Sequence, residues 1–287
     1  MAKKIIDISN WQPKGSLDFK KLKAAGVEGV IIRAGFGRFD KQKDLSFESH
    51  YAAAKAAGLP VGAYHYNYFI NEQTARDEAA VMLNWLFNKQ FELPVYCDIE
   101  DKSLEKLGKT VNTRNVITYC STLERAGYFV GVYANTNWFT NYLNRADLRR
   151  FTLWEANYNT NPNKGADMWQ YTDRARINGY NGNLDANWLF REDLTELIKS
   201  MGLNGFDKPV DKPDYTEFIP GDVDGDGVVT AADARIVLQA SSRLITLTPE
   251  QFKRADVLGD GQITAALART ILNMSAGLMP QLEPRRG

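Results

Sequence analysis

From residue 5 to about residue 200, short apolar runs alternate with segments of helical spacing, and this alternation limits the possible folds more than any other feature. Residues 5–8, 30–34, 60–66, 93–99, 129–133 and 152–156 read as strands. Residues 18–25, 47–57, 72–86 and 113–126 read as helices, and Gly26, Gly58 and Gly127 stop three of them. Strands separated by helices predict a parallel sheet with helical crossovers. The number of units predicts a barrel, shorter than the roughly 250 residues of a complete eight-fold one. Past residue 156 the pattern changes: 168–171 and 177–184 look extended, and a helix is expected over 189–199. The fold class is therefore α/β, an irregular TIM-like barrel.

The strand at 93–99 runs into the stretch PVYCDIED at 94–101, where a run suited to the interior meets three acids. Side chains two apart on a strand share a face, so Asp98 and Glu100 point the same way, at the carboxyl-terminal mouth of a barrel. Residues placed there tend to be catalytic. Other strand ends add to the ring: Asp7, Arg33, Tyr64 with Tyr66, Tyr133, Trp169 with Tyr171, and Asp185. Two carboxyl groups facing one cleft suit glycoside hydrolysis, in which one acid protonates the leaving oxygen and another supports the cationic sugar or activates water. Clustered anions raise one another's pKa, which keeps one acid neutral. Glu100 has the longer reach and is the expected proton donor. Taken alone, an Asp-x-Glu pair also fits a surface strand end or a metal-ligand set. His65 faces away from its tyrosine neighbours and reads as structural, and Asp101 is expected to face outward beside the site. Gly35 and Gly37 read as turn glycines, since the spacing of a phosphate loop is absent.

Residues 203–218 lack periodicity and carry Pro209 and Pro213, marking a linker between a barrel over 1–202 and a second unit over 219–287. That unit repeats internally: GDVDGDGVVTAADARIVL is echoed by ADVLGDGQITAALARTIL, with Asp222 and Asp256 34 residues apart. Asp222, Asp224, Asp226, Gly227 and Asp233 occupy positions 1, 3, 5, 6 and 12 of a calcium loop, and Val228 at position 7 would offer its carbonyl. The second repeat keeps Asp256, Asp260 and Gly261, with Gln262 at position 7, but has Leu258 and Leu267 where oxygen ligands belong. Calcium takes roughly six to eight oxygens. A filled first Ca2+ site and a weak or empty second one are expected, and no cofactor for the chemistry at the barrel.

Formal net charge is zero and no basic stripe is present, which argues against nucleic acid as a partner. No run is long and apolar enough to span a membrane. Cys97 and Cys120 do not make a disulfide framework and read as small core residues. The aromatic content (13 Tyr, 14 Phe and 6 Trp) supplies a core and leaves rings for stacking on sugars. A monomer is expected.

Taken in order, DISNWQ, IIRAGFG, GAYHY, YCDIE, GVYAN, LWEANY, MWQYT and NLDAN resemble glycoside hydrolase family 25 over about residues 3–200. These are lysozymes that cut the β-1,4 bond between N-acetylmuramic acid and N-acetylglucosamine in peptidoglycan. The resemblance implies a barrel of five β/α units plus three strands. It implies Glu100 as the acid, and Asp98 as the carboxylate that assists the 2-acetamido group or positions water. Asp7 and Asp185 would be further cleft acids, and Tyr64, Tyr66, Tyr133 and Trp169 substrate-lining rings with Arg33 nearby. The second unit resembles a dockerin, a small all-α, two-repeat, EF-hand-like module that plugs into cohesin domains of a scaffolding protein. Ala231, Ala232 and Arg235, with Ala265, Ala266 and Arg269, match its cohesin-facing positions. A dockerin implies export, so a secreted or surface location is expected although the chain begins without a signal peptide. The rival reading is a non-catalytic wall-binding or assembly protein on a hydrolase scaffold.

Overall fold

The structure is a computed structural model that describes residues 2–158, 165–206, 217–282 and 285–286. It divides into two compact units, Met1–Lys212 and Pro213–Gly287. In the first, β1 (Lys3–Ile8), α1 (Phe19–Ala24), β2 (Gly29–Phe36), α2 (Phe47–Ala56), β3 (Val61–Tyr66), α3 (Glu72–Leu86), β4 (Val95–Asp98), α4 (Gly108–Arg125), β5 (Val130–Asn135) and α5 (Thr136–Asn141) form five strand–helix units. β6 (Thr152–Ala156), β7 (Met168–Ala175), β8 (Leu184–Leu189) and α6 (Leu194–Ser200) follow. The eight strands close a barrel in sequence order. Strands β1 to β7 pair in parallel, and β8 runs antiparallel to both β7 and β1. This is the expected irregular barrel. A parallel return needs a crossover of about a dozen residues or more, usually helical. The short, helix-free segment after β7 allows only a reversal.

Strands β2 to β5 are buried on both faces, so they read as apolar runs without strict alternation. Ile5, Ile31, Tyr96, Tyr133, Trp154 and Met168 belong to one buried cluster that fills the barrel. Glycines make room for the large members: a Cβ on Gly131 would lie 2.3 Å from the Tyr96 ring, and one on Gly62 2.6 Å from Ile31. Helix starts follow their caps. Asp18 accepts from the Lys21 amide at the head of α1, and Asn71 and Thr74 form a reciprocal box at the head of α3.

Three local expectations are corrected. The helix expected from residue 189 begins at Leu194, because Leu189 pairs with both Lys3 and Met168 and buries its side chain in the barrel. Gly35 lies inside β2 rather than in a turn: a Cβ there would sit 2.3 Å from the Trp85 ring, and the β2–β3 register shifts just before it. Gly37, at φ 62°, is a true turn glycine. Residues 203–206, expected in the linker, are docked on the barrel. Buried Asn204 accepts from the Phe129 amide at 2.7 Å and donates to the carbonyls of Phe91 (3.1 Å) and Leu93 (3.0 Å). Most of the rest of the linker, 207–216, lies outside the described residues.

In the second unit, α7 (Ala231–Ser241) and α9 (Ala265–Ser275) pack together, with α8 (Pro249–Ala255) between them in sequence. The core repeats the sequence offset, pairing Val223 with Val257, Ala234 with Ala268 and Val237 with Ile271. To the helices the chain adds one short pairing of β9 (Glu217–Phe218) with β10 (Arg285–Arg286).

Candidate active site

The mouth of the barrel holds a cleft of about 410 Å3. Asp7, Asp98, Glu100 and Asp185 all line it, with Arg33, Tyr64, Tyr66 and Tyr133. Asp98 is the last residue of β4 and Glu100 lies two residues on, so the shared strand parity carries both into the opening. Asp185 reaches the same mouth from the start of its strand, because β8 runs backwards and pairs it directly with Asp7.

Asp7 is buried and hydrogen-bonded to Asp185. It also accepts from Asn187 Nδ2 at 2.8 Å and Gln170 Nε2 at 3.0 Å. Burial pushes its pKa up to about 6 against these donors. Burial, followed by the Asp7 charge, pushes Asp185 up to about 8. At neutral pH the pair therefore shares one proton, with Asp185 donating to Asp7. Asp98 is raised well above the usual carboxylate range by burial and then by Glu100 and Asp7. Its Oδ1 has no hydrogen-bond partner among the described residues. Glu100 is also raised, chiefly by burial, and Asn135 Nδ2 donates to it at 3.5 Å.

Arg33 is tied down, its Nε 2.8 Å from buried Asp44 and its Nη2 donating to Asn10. From there its charge lowers the pKa of Asp98 and Tyr64 against the effect of their burial. Tyr66 donates to Asp101 Oδ2 at 3.2 Å, which places Asp101 beside the site as expected. His65 is buried behind it. Its Nε2 can only donate to the Gly37 carbonyl (2.8 Å), so Nδ1 accepts from Tyr119 (3.0 Å), and burial holds its pKa down at about 3.

Trp169 is not brought into the cleft. Side chains on β7 alternate, and Gln170 takes the inward position. Trp169 lies on the outer face with its ring edge-on to Tyr171, and its indole N–H donates to the Asn157 carbonyl at 2.8 Å. Sequence reasoning did not single out Gln170, Asn187, Trp154 or Trp11. Gln170 Oε1 accepts from Tyr133 at 3.1 Å and Tyr158 at 2.9 Å while its amide holds Asp7. Asn187 also accepts from Trp154 Nε1 at 2.8 Å, and the Trp154 ring packs 4.5 Å from Tyr133 at the cleft floor. Trp11, 81% exposed, stands on the rim. A buried carboxylate such as Asp7 needs donors from neighbouring strands, but nothing local in the sequence marks which residues supply them.

In the second unit, oxygens of Asp222, Asp224 and Asp226 lie within 4.8 Å of one another, a spacing that fits a hard divalent cation. Val228 follows them, exposed, its amide donating to Asp226. Asp233 stands outside this trio. Its carboxylate accepts from the amides of Val223, Asp224 and Thr230 and closes the capping box of α7. In the other loop Asp256 and Asp260 accept from loop amides, including that of Gln262. Leu258 is exposed, and Leu267, the counterpart of Asp233, is buried in the core. Among the described residues no acidic trio forms in this loop. Ala231 and Arg235 are exposed and Ala232 half-buried, and their counterparts Ala265, Ala266 and Arg269 are exposed as well.

A closed barrel whose mouth gathers four carboxyl groups and a wall of rings fits the fold class of glycoside hydrolases. Residues 6–180 match the profile of glycosyl hydrolases family 25, and the chain belongs to that family. Residues 220–271 match the dockerin type I domain. Over 185 residues the chain is 32% identical to an autolytic lysozyme of Clostridium acetobutylicum, covering 63% of this chain and 53% of that protein. The chain thus spans about half the length of that relative. Among solved structures it resembles the CTP1L endolysin (26% identity, TM-score 0.58), covering 69% of this chain and 70% of that one. It likewise resembles the modular autolysin LytC from Streptococcus pneumoniae (27% identity, TM-score 0.58), covering 65% and 46%. No helix among the described residues is long and apolar enough to cross a membrane.

Proposed function

We propose that the barrel is an N-acetylmuramidase that cuts the β-1,4 bond between N-acetylmuramic acid and N-acetylglucosamine in peptidoglycan. The observation that carries this reading is the meeting of Asp7, Asp98, Glu100 and Asp185 in one ring-lined cleft. Glu100 passes its carboxyl proton to the glycosidic oxygen. The bond from that oxygen to C1 of the muramic acid breaks, its electron pair stays on the oxygen, and the N-acetylglucosamine leaves with a new 4-hydroxyl. Burial raises the pKa of Glu100, which favours the protonated form that a donor needs. The unpartnered Asp98 oxygen suits holding the acetamido group of the sugar or the water that finally adds to C1. Asp7 and Asp185, sharing a proton, place one negative charge beside the developing cation. Arg33 is a positioning residue, fixing the loop after β1 through Asn10 and Asp44.

The second unit attaches the enzyme to a cohesin-bearing scaffold outside the cell. Its docking face is formed by Ala231, Ala232 and Arg235 with Ala265, Ala266 and Arg269. Asp222, Asp224 and Asp226, joined by the Val228 carbonyl and Asp233, would hold one calcium ion that orders the first loop. Asp256, Asp260 and Gln262 would hold a second one weakly or not at all.

Glu100→Gln should cut the release of reducing ends from purified walls by roughly a thousandfold, within the usual worth of a general acid, while the circular dichroism spectrum is unchanged. Turnover at the parental rate would remove Glu100 from this role.

A further inference from the structure

Beside the cleft lies a second depression of about 460 Å3, lined among others by Phe36, Arg38, Phe39, Tyr68, Ile70 and Glu78. Phe36 ends β2 and Tyr68 follows β3, so this groove opens at the same end of the barrel as the acids. The two adjoin: Tyr66 lines the cleft, Tyr68 lines the groove, and their rings pack 5.2 Å apart.

The walls are apolar yet face water, with Phe36 37%, Phe39 52%, Tyr68 41% and Ile70 53% exposed. Folding does not use these surfaces, and four such side chains together form a patch rather than scattered exposure. Arg38 is exposed, lies 5.3 Å above the Phe39 ring, and makes no ion pair among the described residues. Glu78 at the floor is buried, and its oxygens are taken by Asn67 Nδ2 and the Tyr68 amide. It anchors the Tyr68 backbone, and the Arg38 charge acts on it from the rim. The groove therefore offers an apolar wall with Arg38 as its outward cation and Lys41 beside it, 5.9 Å from the same Phe39 ring, chemistry for a chain of small apolar side chains with a free carboxylate. A neutral sugar would leave the cation unused.

We propose that this groove takes the stem peptide borne by the muramic acid next to the cleaved bond, its carboxylate against Arg38 and its alanine methyls against Phe39 and Tyr68. The inference rests on the muramidase reading, because that substrate carries such a peptide beside the scissile link. Peptide contacts outside the reacting centre would add binding energy that a bare glycan lacks.

Two measurements test it. In the first, a free stem pentapeptide is titrated into the 15N-labelled full chain. Shifts confined to residues 36–42 and 68–78, and lost in Arg38→Glu, are expected. No binding, or binding elsewhere, overturns the proposal whether or not walls are cut. In the second, Arg38→Ala and Phe39→Ala are assayed on peptidoglycan with its stem peptides and on the same glycan stripped of them by an amidase. On the peptide-bearing wall KM should rise about fivefold for Arg38→Ala, the upper worth of an exposed charge pair, with the stripped glycan unaffected. Equal losses on both substrates, or none on either, overturn it. Wild-type failure to cut either wall would count against the muramidase reading, while the titration still judges the groove.

Discussion

Asp7 and Asp185 face each other across the β1–β8 ladder, and two carboxyl groups so placed cannot both ionise cheaply. In the unfolded chain both lose their protons near pH 4. In the barrel Asp7 keeps its proton to about pH 6 and Asp185 to about pH 8. The folded state binds more protons across that window, so stability is greatest below about pH 4 for this pair and falls as pH rises to about 8. Each retained proton contributes a slope of about 1.4 kcal/mol per pH unit. Asp185→Asn should flatten the fall in urea midpoint between pH 5 and 8, and an unchanged slope would refute the shared proton. Asp7, Asp98 and Glu100 were legible because they stand at the ends of apolar runs, whereas Asp185 lies at the start of β8 and reaches the mouth through its reversed direction. Gln170 and Asn187 were not legible, since a polar residue within a strand has no local mark that it will serve an acid on another strand. In MWQY both faces carry bulky groups, so parity alone could not say that Gln170, and not Trp169, turns inward.

Among the elements, β8 decides the shape of the site. Its antiparallel run puts Asp185 at the mouth and Leu189 in the interior. The short tail after α6 does comparable work at Asn204, which bonds the Phe91, Leu93 and Phe129 backbones. Asn204→Ala would leave a buried N–H and two carbonyls unmet, costing about 2–4 kcal/mol. The melting midpoint of the barrel should drop by roughly 5–10 °C, measured by calorimetry. A drop under a degree would mean that water replaces the side chain. The helices of this unit were largely legible from their spacing and their glycine stops, while the boundary at residue 202 was not. Nothing local distinguishes a docked asparagine from a linker one.

At the scale of the whole molecule, the two units rest on different physics. The barrel closes over a large ring-filled core, whereas the second unit is small and gathers three carboxylates whose charges repel one another. Calcium should raise the thermal midpoint of the second unit and leave that of the barrel unmoved, with chelation reversing the shift. At a hundredfold excess over Kd the gain is about 2.7 kcal/mol. Calorimetric titration should return one tight site, because Leu267 fills the core where the first repeat has Asp233. Two tight sites of equal strength would contradict this, and Asp222→Ala should abolish the binding.

The sequence by itself determined the barrel class, the acids at its mouth and the repeated loop. These follow from periodicity, strand parity and ligand spacing, all set by neighbours a few residues away. Tertiary structure alone decided which faces turn inward, how Asp7 and Asp185 come to share a proton, and where the apolar groove opens. Those depend on strand direction and on contacts between residues as far apart as Asp7 and Asn187, which meet only when the barrel closes.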